Sequence, residues 1–76
     1  MDKLYEILED INPGVDYENT YNLIDGHYLD SMAVISLIAE LEDEFDISIP
    51  SVEVIPDNFN SADKIMAMIN RLQEEF

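Results

Sequence analysis

The sequence predicts an all-α fold, a small bundle of three main helices with a long first loop and a short irregular element before the last helix. Three observations carry this. Apolar residues recur at helical spacing in three stretches that turn signals separate. Apolar residues make up 47% of the chain and are periodic, so the chain folds rather than staying disordered. It has no cysteine, so packing must hold it together without disulfides or thiolate metal sites.

Leu4, Ile7, Leu8 and Ile11 define a first helix over residues 2–11, which Asn12-Pro13-Gly14 stops. Residues 15–30 form a long connection. Loops of that length in small domains are functional or pinned by their own side chains. Val15, Tyr17, Tyr21, Leu23, Ile24, Tyr28 and Leu29 are the candidate pins. Gly26 marks a turn just before the second helix.

That helix runs from Ser31 to about Phe45. Val34, Leu37, Ile38, Leu41 and Phe45 fall on one face, a normal buried stripe. Met32, Ile35 and Ala39 fall roughly opposite. A chain of 76 residues has one core and does not easily bury both faces of one helix. The second strip is therefore expected to be exposed as a docking surface, the alternative being a second core contact beneath the long loop.

After Phe45, Ile47 and Ile49 alternate as in a short extended piece. Pro50 and Pro56 bracket a stretch read as a helical turn or loop, because a lone strand there would have no partner. Asn60 or Ser61 caps the last helix, where Ile65, Met68, Ile69 and Leu72 line one face with Phe76 in phase. Neither an internal repeat nor a domain boundary is evident, so residues 1–76 read as one domain.

Composition narrows the function. Eighteen acids face three bases, a net charge of −15, and no Lys or Arg stands between Leu4 and Asp63. Nucleic acid and anionic membrane surfaces both require a basic patch, so neither is an expected partner. A protein with a basic patch is expected instead, steered by the field. No apolar run approaches a membrane span, and the N-terminal residues do not resemble a signal peptide, so the expected location is the cytoplasm.

Candidate chemistry centres on Leu29-Asp30-Ser31-Met32, where the loop becomes the second helix. Asp30 or Ser31 can cap the helix through its side-chain oxygen. Alternatively Ser31 carries a phosphodiester, for which the free N–H groups and positive dipole end of a helix N-terminus are suited. No His or Lys stands at a spacing diagnostic of an activated nucleophile, so a modified serine fits better than a catalytic one.

Other candidates are weaker. Asp16-Tyr17-Glu18-Asn19-Thr20 fails as a calcium loop, since its sixth position is Tyr21 rather than Gly and its twelfth is His27 rather than Glu. No metal site is expected. His27 reads as a loop residue near Ser31, with a contact to a bound group as the alternative. The four tyrosines read as packing residues. Glu40, Glu42, Asp43, Glu44 and Asp46 crowd the end of the second helix, as a solvated face, a recognition patch or a weak divalent-ion site.

Two further segments complete a recognisable pattern. Leu29-Asp30-Ser31-Met32, followed by Leu41-Glu42-Asp43-Glu44-Phe45-Asp46-Ile47-Ser48-Ile49-Pro50 and then by Ile55-Pro56-Asp57-Asn58-Phe59-Asn60-Ser61-Ala62-Asp63-Lys64-Ile65, resembles the acyl and peptidyl carrier proteins over about residues 21–72. The resemblance implies a four-helix bundle with a short third helix. It implies that Ser31, between Asp30 and Met32, is joined to 4'-phosphopantetheine from coenzyme A by a phosphopantetheinyl transferase. The arm holds an acyl or aminoacyl group as a thioester, and the chain is a monomeric carrier, not an enzyme. Loading and transfer enzymes with basic and apolar docking patches would read Met32, Ile35, Ser36, Ala39, Glu40 and Asp43.

Two departures from the pattern stand out. Ala33 and Ser36 occupy positions where carriers of bacterial fatty-acid synthesis usually show acids, so this first turn looks more like D-alanyl carriers or stand-alone natural-product carriers. Gly26 and Asp30 enclose three residues where relatives usually place one or two. The rival to a carrier is an acidic interaction module of the same fold that is never modified; an acidic helical metal binder is a third reading.

The charge alone generates an expectation. Like charges repel more in a compact chain than in an expanded one, so screening should stabilise the fold. The thermal midpoint at pH 7 should rise from low to moderate sodium chloride; a flat or falling midpoint would mean that self-repulsion does not limit stability.

Overall fold

The computed structural model describes residues 1–74. Helices α1 (Asp2–Ile11), α2 (Ser31–Phe45), α3 (Pro56–Phe59) and α4 (Ala62–Glu74) follow in order, with a 3-10 turn at Ser51–Glu53 before α3. No strand occurs among the described residues. The all-α expectation, the long first loop and the short third helix all hold. Phe76 lies outside the described residues.

Each main helix buries part of its periodic stripe, α2 less of it than the spacing predicted. Leu4, Ile7 and Leu8 of α1, Leu37 and Leu41 of α2, and Ile65, Met68, Ile69 and Leu72 of α4 meet in one core, which Phe59 of α3 joins. Val34, Ile38 and Phe45 pack half-buried along its margin. Helices α1 and α2 run antiparallel. Lys3 Nζ lies 3.4 Å from Glu44 Oε1 at one end, and at the other Asn12 Nδ2 donates to the Tyr28 carbonyl at 2.6 Å.

The first loop is pinned, but by fewer side chains than the sequence suggested. Tyr17, Leu23 and Leu29 enter the core, and Val15 and Ile24 pack against it. Tyr21 and Tyr28 do not: both are exposed. A tyrosine keeps its hydroxyl wet while its ring lies on the surface, so a loop with other anchors need not bury it. The Tyr17 hydroxyl donates towards two carbonyls at the end of α1, Leu8 O at 3.1 Å and Asn12 O at 2.6 Å. Leu8 O already accepts from Asn12 N, so the hydroxyl chiefly supplies a partner for the Asn12 carbonyl just past the helix end.

Between the two capping candidates the structure chooses Ser61, whose Oγ accepts from the Lys64 N–H at 3.1 Å. Asn60 does something else. Its Oδ1 accepts from Ile24 N at 3.0 Å and Asp25 N at 3.2 Å, its carbonyl accepts from Leu23 N at 2.8 Å, and its Nδ2 donates to Asp25 Oδ2 at 3.2 Å. One asparagine thus ties the first loop to the start of α4. The turn at Gly26 also has a different basis from backbone freedom. A Cβ there would stand 2.7 Å from Asn22 O and 2.9 Å from the Tyr28 ring, while the left-handed residue of the turn is His27 (φ 62°).

Helix α2 ends on Asp46 in the left-handed conformation (φ 54°), its N–H bonded to Glu42 O. The acidic crowd here is more than a solvated face. Glu42 is half-buried, and its Oε2 accepts from Ile49 N at 2.8 Å. That bond holds the extended piece so that Ile47 and Ile49 turn into the core.

Burial, and secondarily Glu9, raises the pKa of Tyr17 above its ordinary value of 10.0. A phenol whose folded pKa lies above its unfolded one contributes stability that is complete below about pH 10 and lost as pH rises through the folded value. Thermal midpoints should therefore fall above pH 10, and fall less steeply in Tyr17→Phe; equal alkaline slopes in both proteins would contradict this reading.

Candidate functional site

The start of α2 is built by a division of labour between adjacent residues. Asp30 is extended (φ −85°, ψ −179°), and its Oδ1 accepts from Ala33 N at 2.8 Å. An aspartate at this position satisfies one of the free N–H groups of the first turn. The cap is therefore Asp30, and Ser31, the first helical residue, does not have to use its hydroxyl for capping. The Ser31 side chain is exposed.

Around that hydroxyl the electrostatics suit an anion. The N–H groups of Ser31 and Met32 have no intrahelical acceptor by position, and the positive end of the helix dipole points outward there. In a chain with eighteen acids, the first turn of α2 contains none. Apart from the cap itself, an anionic group on Ser31 would meet no carboxylate within that turn.

The remaining residues singled out from the sequence are also on the surface. Met32 is 70% and Ile35 62% exposed, and Ser36, Ala39, Glu40 and Asp43 are exposed along the same helix. The second apolar strip is thus not a core contact. Large apolar side chains left in water on one helix face, beside a free hydroxyl, make a surface that a partner can cover.

The sequence did not show what lies on the other side of Ser31. An open groove of about 620 Å³ runs between the end of α1 and the start of α2. Asp10, Ile11 and Asn12 form one wall, His27 and Tyr28 the end, and Asp30, Met32, Ala33 and Ser36 the other wall. Asn12 read only as part of a helix stop, and Asp10 as one acid among many. No local spacing could have paired them with Ser36, because only the antiparallel docking of α1 on α2 brings them together.

Comparison with known proteins now bears on this geometry. The family model described as the phosphopantetheine attachment site matches residues 3–69. The chain belongs to the phosphopantetheine-attachment family. The carrier is 38% identical over 73 residues to the D-alanyl carrier protein of Streptococcus mutans, covering 96% of this chain and 85% of that relative. It is 33% identical over 76 residues to the D-alanyl carrier protein of Lactococcus lactis subsp. lactis, covering 97% and 96%. The D-alanyl carrier protein of Lactococcus lactis subsp. cremoris is 34% identical over 76 residues, again covering 97% and 96%.

Membership makes this a carrier that holds 4'-phosphopantetheine covalently and works with a phosphopantetheinyl transferase and with biosynthetic enzymes. The residues present fit the group: an exposed hydroxyl not needed for capping, free first-turn N–H donors and no acid in that turn. No helix among the described residues is long and apolar enough to cross a membrane.

The division of labour at the helix start has a measurable consequence. Asp30→Ala should lower stability by about 1 kcal/mol through loss of the cap, whereas Ser31→Ala should leave the denaturation midpoint of the unmodified carrier nearly unchanged. If Ser31→Ala costs as much as Asp30→Ala in chemical denaturation, the serine is a structural residue and the assignment of roles fails.

Proposed function

We propose that the Ser31 hydroxyl is the attachment point of the phosphopantetheine arm and that the cargo is an aminoacyl group of the D-alanyl type. The observation that carries this is the exposed Ser31 hydroxyl at the first position of α2, left free by the Asp30 cap. When bound, the arm supplies the thiol that this cysteine-free chain lacks and holds the cargo as a thioester.

The chain's own residues then have distinct tasks. Asp30 fixes the first turn and so the position of Ser31. The first-turn N–H groups of Ser31 and Met32 would be available to a phosphodiester on Ser31, and the dipole end of α2 would favour its charge. Met32, Ile35 and Ala39 offer an apolar strip, with Ser36, Glu40 and Asp43 as polar neighbours, to enzymes whose docking patches are basic and apolar. The carrier positions cargo and does not catalyse. It works as a monomer of one domain, residues 1–76, in the cytoplasm. The three relatives named above support the choice of an aminoacyl cargo, because each is named a D-alanyl carrier. Ala33 and Ser36 agree with that choice, as the sequence resemblance implied.

Incubation with coenzyme A and a phosphopantetheinyl transferase should raise the intact mass by one phosphopantetheine, and Ser31→Ala should abolish the gain. A D-alanine-activating enzyme should then load the modified carrier. Ile35→Ser should weaken that loading while leaving the thermal midpoint nearly unchanged. Leu41→Ala should do the reverse, costing about 2–5 kcal/mol as a buried large-to-small change. Unfolding by Ile35→Ser, or a mass gain that survives Ser31→Ala, would overturn the assignment.

A further inference from the structure

Three features of the surface were left without a task by the carrier reading: the groove between α1 and α2, the left-handed His27 beside it, and the acids on its walls. The groove opens directly beside Ser31, since the residues on either side of that serine, Asp30 and Met32, both line it. Its volume of about 620 Å³ falls within the range of about 300–1,000 Å³ usual for small-molecule sites. An arm fixed to Ser31 has this groove within immediate reach, whatever else it visits.

The lining has the mixed chemistry that such an arm needs. Pantetheine combines two amides and a hydroxyl with a quaternary carbon bearing two methyl groups. Ile11, Met32 and Ala33 offer apolar surface to the methyl groups. Asn12 and Ser36 offer both donors and acceptors to the amides. Asn12 commits one amide hydrogen to the Tyr28 carbonyl, which leaves its other hydrogen and its oxygen open to the groove. His27 stands at the end of the groove in a left-handed turn.

Charge then selects among cargoes. Asp10 and Asp30 line the groove, and it contains no Lys or Arg. An aminoacyl thioester carries a free cationic amine, whereas an ordinary acyl thioester is neutral. Resting on this Ser31 and aminoacyl reading, we propose that the groove between the end of α1 and the start of α2 is the resting site of the arm when it bears a cationic aminoacyl cargo, with Asp10 as the residue that distinguishes this cargo from a neutral one. The groove then holds the cargo between loading and delivery and leaves Ile35 and Ala39, which do not line it, free for the next enzyme.

The test uses the whole carrier, labelled with ¹⁵N and modified with one of two coenzyme A analogues whose thioester is replaced by a stable amide. One analogue bears alanine with a free amine, the other N-acetylalanine. Intact mass first establishes one arm per chain, absent in Ser31→Ala. With the free amine, the backbone amide signals of Ile11, Asn12, His27, Tyr28 and Ser36 should shift. With the N-acetyl arm, or in Asp10→Asn carrying the free amine, those shifts should shrink, with the docked-to-free ratio they report falling about 1.5- to 5-fold, the effect of one exposed charge pair. Asp10 is exposed, so Asp10→Asn keeps the fold; an unchanged thermal midpoint verifies this. Shifts confined to residues 30–33 after a full mass gain would overturn the groove while leaving attachment at Ser31 intact. Equal shifts with the two arms would overturn the selection by charge. No mass gain at all would overturn the attachment reading and the groove with it.

Discussion

A long irregular loop that has to be held against the core before α2 begins is the constraint on which this fold depends. Residues 12–30 carry no regular structure, yet they lead directly into Ser31, the first residue of α2. Holding such a segment still costs about 1–2 kcal/mol of backbone entropy per residue. Two devices oppose that cost. Tyr17, Leu23 and Leu29 bury their side chains in the core. Asn60, arriving from the other half of the chain, takes up the backbone N–H groups of Leu23, Ile24 and Asp25. Besides these, the start of α2 is tethered by the bond from Asn12 to the Tyr28 carbonyl and by the helix it opens.

The same economy appears at the helix start. Two adjacent polar residues could each have capped α2, and a serine that capped would have its oxygen committed to a backbone N–H. Asp30 takes the cap, and its charge suits the positive end of the dipole. Ser31 is left exposed, with its hydroxyl not needed for the cap. The proposed attachment of the arm needs a hydroxyl that is reachable, and the neighbour's hydrogen bond leaves it so.

Acidity is spread over this surface with a consistent pattern. The first turn of α2 is free of acids, while its C-terminal end is crowded with them against the dipole. That crowding is partly offset. Lys3 lies near Glu44, and Glu42 turns its carboxylate onto the N–H of Ile49. At Asp46 the chain accepts a left-handed residue with a side chain, a role that glycine fills at lower cost. The charge left over gives the molecule a strong negative field, which attracts any basic surface that approaches it.

The sequence by itself determined the helices, their buried faces and the exposure of Met32, Ile35 and Ala39. All of these follow from a period of 3.6 residues and from the size limit of one core, and both are legible in local spacing. It also placed Ser31 at a helix start, and the longer motif pointed to the carrier family. Tertiary structure alone decided which of Asp30 and Ser31 caps α2 and which of Asn60 and Ser61 caps α4. It decided that Gly26 is needed for space, that Tyr21 and Tyr28 stay outside, and that Asp10 and Asn12 face Ser36 across a groove. The physical reason is common to these cases. A periodicity says which face of an element is apolar, but not what will stand opposite it. A hydrogen bond such as that from Ile24 to Asn60 joins residues far apart in sequence, and its partners become known only when the elements are docked.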